Sequence, residues 1–238
     1  MYKRNKSDNP IKNRILSALP KQTYQALLPK MTAVGLGHEE ILYDTGQAIR
    51  YVYFPNDTVV SLVHMTRDGT SVEVGLVGME GMVGIPIILG AMASPYRAIV
   101  AVTGSTMVME ASVLRDEFNK PGPVQNLLHR YTHGLMMQIS CTVVCNRIHK
   151  IEERLARWLL MVRDRLNSDE FRLTHEFIAE MLGVRRAGVS QAAGTLQKAG
   201  LIRYAHGKIT VVDRKGLEKM ACECYGMGGE DFLEIGKR

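Results

Sequence analysis

Apolar residues fall in short β-rich runs separated by turns between Glu40 and Met109, and at helical spacings beyond Pro123. The change of period divides the chain. In the second part, Leu155, Trp158, Leu159 and Val162 share one face of a helix expected over Ile151 to Leu166. Thr174 can cap a second helix with Phe177, Ile178, Met181 and Leu182 on one face, and Gly183 ends it. A third helix is expected from Arg185 to about Lys198, with Val189, Ala192, Ala193 and Leu196 inward and Gly200 as its C-cap glycine. Leu201 to Tyr204 and Lys208 to Val212, around Ala205-His206-Gly207, read as a β-hairpin, and Asp213 can cap a last helix through Tyr225.

The spacing of Ala179, Gly183 and Val189 makes the helix pair more specific than two neighbours. A small residue allows close approach, a glycine four residues on turns the chain, and an apolar plug six further fills the crossing. Helix, helix and hairpin in that order form a winged helix-turn-helix, with its second helix suited to the major groove and its wing to phosphates.

Before this domain, Ile15 to Leu28 reads as short helices around Pro20. The runs Ile41–Tyr43, Tyr51–Phe54, Val59–Val63, Val72–Leu76, Ile99–Val102 and Met107–Met109 read as strands, with turns such as Asp44-Thr45-Gly46 and Arg67-Asp68-Gly69 between them. Many short strands at this spacing suggest a β-sandwich or jelly roll enclosing a pocket. From Pro123 to Arg147, Val124, Leu127, Leu128, Tyr131, Leu135, Ile139, Thr142 and Val143, with Ile148 just beyond, recur at intervals of mostly three or four. A helix of about 25 residues spans roughly 37 Å, longer than such a roll needs for cover. An apolar seam pairing with a second copy is the expected reading, with an intramolecular cover helix as the alternative, and Gln138, Ser140 and Thr142 make the seam imperfect.

With 238 residues and 46% hydrophobic content, one or two domains with packed cores are expected. The longest apolar stretch, Gly81 to Tyr96, contains Pro86 and Pro95 and is too short to cross a membrane. With no basic-then-apolar leader, the expectation is a soluble cytoplasmic protein, and four cysteines fit a reducing compartment. Charge sharpens the picture. From Arg147 to Lys219 there are 15 Lys and Arg against 9 Asp and Glu, whereas the remaining residues hold 15 of each, so the net +6 sits in the helix-turn-helix part. That localisation suits a polyanion.

Signatures of catalysis are missing: the sequence has no G-x-S-x-G, no phosphate-binding G-x-x-x-x-G-K-[S/T] and no H-E-x-x-H, and glycine-dense Gly75 to Gly84 departs from the dinucleotide fingerprint. An enzyme is therefore not expected. Cys141 and Cys145, one turn apart on the long helix, could face a dimer mate as a redox switch or be small buried apolar residues. Cys222 and Cys224, on the last helix, would point to different faces. The histidines, among them His129, His133 and His149, form no set with metal-binding spacing, so neither metal nor cofactor is expected.

The β-roll, long helix and winged helix-turn-helix together resemble the Crp-Fnr superfamily of bacterial transcription regulators over nearly the whole chain. The resemblance is carried most specifically by Leu173-Thr-His-Glu-Phe-Ile-Ala-Glu-Met-Leu-Gly-Val-Arg-Arg-Ala-Gly-Val-Ser-Gln191, then Lys198-Ala-Gly-Leu-Ile202 and His206-Gly-Lys208. It implies an α+β protein divided into a cyclic-nucleotide-binding-like β-roll sensor (1–122), a long dimerisation helix (123–148) and a winged helix-turn-helix domain (149–238). It also implies a homodimer that recognises two-fold-symmetric double-stranded DNA, takes a signal through the roll and long helix, and has RNA polymerase as a further partner. The other functional class is a ligand-binding roll that acts on a protein partner without reading DNA.

Departures from the family pattern shape the expected site. Where the recognition helix of the family presents a Glu and two Arg, this chain has Ala187, Arg186 and Gln191. Arg186 is expected to read a guanine and Gln191 an adenine, with Arg185, Ser190 and Thr195 on phosphates and Arg203 and Lys208 reaching phosphates from the wing. The family's cyclic-nucleotide members carry a ribose-binding Glu where this chain has Met82 within Gly81-Met82-Val83-Gly84, which argues against that ligand. Arg97-Ala98 resembles the phosphate-binding pair, one position off. Arg97, Gln138, Ser140 and Thr142 are the effector-site candidates. Iron–sulfur members need an N-terminal cysteine cluster, and no cysteine precedes Cys141.

Overall fold

The structure, a computed structural model, describes residues 12–227. Its N-terminal half runs α1 (Arg14–Ser17), α2 (Lys21–Leu27), β1 (Met31–Leu36), β2 (Ile41–Tyr43), β3 (Tyr51–Pro55), β4 (Val59–Met65), β5 (Ser71–Val77), β6 (Arg97–Val102) and β7 (Gly104–Glu110). These strands form two antiparallel sheets in the orders β1-β7-β3 and β2-β6-β4-β5. Together they make the expected roll. Strand β1 was not among the runs read from sequence, because its buried residues Met31, Val34 and Leu36 are spaced by three and then two. Pairing with β7, from Met31 opposite Met109 to Leu36 opposite Gly104, fixes it.

The four-stranded sheet is covered on both faces. Val60, Leu62, Ala98 and Val100 enter the roll's own core, while their neighbours Val59, Val63, Leu76 and Ala101 belong to the core of the C-terminal domain. Successive strand residues point to opposite faces, so two-sided burial replaces alternation with the continuous buried run 59–63 of β4, interrupted in polarity only by Ser61, and the apolar run 98–102 of β6.

After α3 (Ala111–Phe118) comes the long α4 (Pro123–Ile148), whose apolar residues divide between two surfaces. Val124, Leu128, Tyr131 and Leu135 are buried in the roll core. Tyr131 is fully buried, and its hydroxyl donates to the Met82 carbonyl at 2.9 Å. A Cβ on Gly81 would lie 2.3 Å from the Tyr131 ring, so only glycine permits this approach. Toward the helix end Met136, Met137, Val143, Val144 and Ile148 are exposed. The first half of the sequence pattern is thus intramolecular cover, and the open apolar surface belongs to the second half.

The C-terminal domain comprises α5 (Ile151–Leu166), β8 (Glu170–Arg172), α6 (His175–Leu182), α7 (Arg186–Lys198), β9 (Ile202–Ala205), β10 (Lys208–Val211), α8 (Arg214–Met220) and α9 (Cys224–Met227), with a small sheet ordered β8-β10-β9. Asp213 caps α8 by accepting from Gly216 N–H at 2.9 Å. The single last helix expected through Tyr225 is instead two pieces, because the backbone turns extended at Ala221 (φ −67°, ψ 150°). No helix among the described residues is long and apolar enough to cross a membrane.

Where the two halves meet, the apolar contact contains polar groups that are buried and paired. Glu73 of β5 accepts from Ser61 Oγ at 2.5 Å and from Trp158 Nε1 of α5 at 2.9 Å. Arg165 of α5 pairs with Glu80 at 2.8 Å, both buried, and donates to the Leu76 carbonyl at 3.1 Å. Gln138 of α4 closes on the same residue, taking the Leu76 N–H at 2.6 Å and donating to its carbonyl at 3.1 Å. Leu76 therefore joins roll, long helix and C-terminal domain.

Burial raises the Glu73 carboxyl from its ordinary value of 4.5 to about 7, against the Ser61 and Trp158 hydrogen bonds and the charges of Arg165 and Arg157. Between these two values the folded chain holds a proton that the unfolded chain has lost, so the contribution of Glu73 to stability is full below about 4.5 and is lost as pH rises through about 7. The full effect of such a shift is on the order of 3 kcal/mol. Denaturant unfolding at pH 5 and pH 8 should show a larger loss of stability in the parent protein than in Glu73→Gln. Parallel pH profiles for the two would mean that Glu73 does not carry this dependence.

Candidate nucleic-acid interface

The first turn of α6 is fixed by Thr174, whose hydroxyl accepts from Phe177 N–H at 3.1 Å. Gly183 ends the helix in the left-handed region (φ 62°, ψ 41°), and a Cβ there would lie 2.7 Å from a Val72 methyl carbon. The turn of the helix pair thus rests on strand β5. Val189, Ala192, Ala193 and Leu196 of α7 are buried against the domain core, with Val189 wholly inaccessible. Arg185 occupies the N-cap of α7, and the helix begins one residue later than expected.

Burying that stripe leaves the opposite side of α7 in solvent. Arg185, Arg186, Ala187, Ser190, Gln191 and Thr195 are all exposed. Arg186 Nε lies 3.6 Å from Glu176 Oε2 with both side chains 68% exposed, a water-screened pair that leaves the guanidinium free to exchange partners. Among the described residues Arg185 has no ion-pair partner. Thr195 donates its hydroxyl to the Gln191 carbonyl at 3.2 Å, which keeps its lone pairs but not its proton for other contacts.

On the wing, His206 (φ 49°) and Gly207 (φ 74°) link β9 to β10, with Ala205 paired to Lys208. Two successive positive φ values give a two-residue type I′ turn, whose twist matches the strands it joins. Arg203 and Lys208 are exposed, and Lys208 Nζ lies 2.7 Å from Glu170 Oε2 of β8.

Two residues the sequence reading passed over tie these parts together. His175, the first residue of α6, stacks on Tyr204 of the wing with ring centroids 4.1 Å apart and 18° between planes. Its Nδ1 is 2.9 Å from Ser190 Oγ on α7. Tyr204 N–H in turn donates to Gln197 Oε1 at 2.7 Å. Partial burial, then the Arg186 charge, push His175 below its ordinary range, so its ring is neutral at pH 7 and Ser190 can donate to or accept from it. His175 and Tyr204 lie 29 positions apart, beyond the reach of any local periodicity.

The four effector candidates are not gathered in one place. Arg97 is held by both oxygens of Asp44, at 3.1 and 2.6 Å. Gln138 is buried on Leu76, whereas Ser140 is exposed and donates to the Met136 carbonyl at 2.9 Å. Thr142 donates to the Gln138 carbonyl at 2.9 Å and accepts from Arg157 at 3.2 Å. Met82 is fully buried. A cleft of about 420 Å³ opens between roll and wing, lined by His38, Thr103, Arg172 and His206 among others.

Comparison with known proteins agrees with this geometry. Residues 153–220 match the Crp-like helix-turn-helix domain. No protein with a curated description matches the sequence. Among solved structures, FixK2 from Bradyrhizobium japonicum is similar with a TM-score of 0.67 at 18% identity, covering 81% of this chain and 98% of that one. A CRP-family transcriptional regulator from Thermus thermophilus is similar at 0.65 and 21%, covering 79% and 95%. The c-di-GMP responsive global regulator CLP of Xanthomonas campestris is similar at 0.64 and 13%, covering 81% and 99%. At these identities the likeness is one of fold.

The turn supplies a direct check. Gly183→Ala forces a Cβ into the left-handed region, which costs about 1–2 kcal/mol, and presses it on Val72. Equilibrium unfolding should register a loss of that size, and an unchanged midpoint would show that the turn tolerates another conformation.

Proposed function

We infer that this chain, a Crp-Fnr-type protein by its helix-turn-helix domain and by its fold, is a transcription regulator that grips duplex DNA as a homodimer. The observation that carries the reading is the α7 surface: one side is buried as a stripe of small apolar residues, and the other presents Arg185, Arg186, Ser190, Gln191 and Thr195 to solvent beside a type I′ wing. An α-helix fits the major groove, where a guanidinium can take two bonds from guanine and a carboxamide two from adenine. On this reading Arg186 reads guanine and Gln191 adenine. Arg185, Ser190 and Thr195 hold phosphates beside them, and Arg203 and Lys208 do so from the wing.

The exposed half of α4 supports pairing with a second copy. Met136, Met137, Val143, Val144 and Ile148 lie on a single helix and together with Ser140 form an apolar strip, which two copies would cover by packing α4 against α4. Such a dimer places two α7 helices on one face of the duplex about 34 Å apart, one helical turn. The division into a roll (1–122), a long helix (123–148) and a DNA-binding domain (149–238) follows, with signal input through the first two, RNA polymerase as a further partner and the cytoplasm as the compartment. The reading assigns the chain no reaction of its own.

Selection of bound sequences from a random duplex pool tests the reading. The expected product is a two-fold-symmetric motif with half-sites about ten base pairs apart, bound with steep salt dependence. Failure to enrich any motif would contradict it. On the enriched duplex, Arg186→Ala should cost about 1–3 kcal/mol and lose little on random DNA, whereas Arg203→Ala should weaken both alike. Equal losses from Arg186→Ala on both duplexes would remove its base-reading role. Val143→Glu should convert the dimer to a monomer in sedimentation, and a dimer of unchanged stability would place the interface elsewhere.

A further inference from the structure

The junction between α4 and α5, at His149 and Lys150, is bridged by sulfur and nitrogen side chains that local spacing in the sequence does not connect. Cys145 and His149 stand one turn apart at the end of α4, and Cys222 and Cys224 flank the start of α9, which packs on α4 and α5. Because the backbone turns extended at Ala221, Cys222 precedes α9 and Cys224 opens it, and both cysteines are buried. One ligand atom from each of the four residues lies within 4.8 Å of every other. Cys145 Sγ is 3.5 Å from Cys222 Sγ, and Cys224 Sγ is 3.7 Å from His149 Nδ1. A zinc ion with bonds of about 2.3 Å to sulfur has tetrahedral ligand–ligand edges of about 3.8 Å.

We propose that Cys145, His149, Cys222 and Cys224 bind a zinc ion that fastens α9 to the end of the long helix. The inference goes beyond the DNA-binding reading and does not depend on it. All three sulfurs are buried, as a closed structural site requires. The surroundings also suit a metal. With Nδ1 facing the sulfurs, His149 Nε2 lies 3.2 Å from Glu223 Oε2, the carboxylate contact that orients a ligating imidazole. Buried Arg157, which donates to Thr142 at the end of α4 at 3.2 Å, lies near the cluster, and its charge offsets the net negative charge of three thiolates and one imidazole on Zn²⁺. On binding, zinc replaces the thiol protons, which leave to solvent, with no change of oxidation state. A Cys145–Cys222 disulfide would use only two of the four groups and leave His149 and Cys224 without a role. Cys141 lies in the same sulfur cluster but outside the ligand set.

The test uses the full chain purified under reducing conditions, with metal content measured per chain. One zinc per chain is expected, with cobalt exchange producing the thiolate-to-cobalt charge-transfer and intense visible bands of a tetrahedral site. Cys222→Ser and His149→Ala should lose stoichiometric metal, Cys141→Ser should keep it, and chelation should lower the melting temperature of the parent protein. The cobalt spectrum of the parent chain decides the matter even if a variant fails to fold. Two results would overturn the proposal: a reduced chain that takes up neither zinc nor cobalt, or a metal-free chain with an intact Cys145–Cys222 disulfide by mass spectrometry. Both read metal, so neither bears on whether the protein reads DNA.

Discussion

Everything in this molecule depends on the outer face of one sheet. Val59, Val63, Leu76 and Ala101 of the roll are buried in the core of the helix-turn-helix domain, so neither half satisfies its apolar surface alone. Hydrophobic burial is non-directional and by itself would let the two halves slide. The paired polar groups within it set the register, because displacing Glu73 from Ser61 and Trp158, or Arg165 from Glu80, strands a charged or polar group away from water. Leaving such a group unpaired costs more than making the bond contributes.

That register fixes where the helix-turn-helix pair sits. Helix α6 touches β5 at its turn through Gly183 and Val72, and His38 of the roll packs on Phe177 with ring centroids 5.1 Å apart. The long helix meets the same strand through Gln138 at Leu76. A change in the roll that moved β5 would therefore reach both the long helix and the helix-turn-helix pair through named contacts.

Much of the fold was legible because its periods are clean. The α5 boundaries, the Thr174 cap and the glycine at the turn followed from residue type and spacing, and the structure places each where expected. Strand β1 was not legible, since Met31, Val34 and Leu36 are buried at unequal spacing around half-exposed Ala33, and the pairing with β7 that fixes it lies far along the chain. The long helix carried two apolar faces in one pattern, and sequence could not say which residues the roll would take. The candidate site divides in the same way. The exposed positions of α7 follow from the buried stripe opposite them. His175 on Tyr204, and the meeting of Cys145 and His149 with Cys222 and Cys224, are contacts across 29 and more than 70 residues that only the tertiary structure creates.

The central claim, that two recognition helices are presented to one face of a duplex, is tested most directly by hydroxyl-radical footprinting on a duplex enriched by the protein. The account predicts two protected patches on the same face with centres about ten base pairs apart, at a stoichiometry of two chains per duplex. A single protected patch, or protection at a stoichiometry of one chain per duplex, would contradict it.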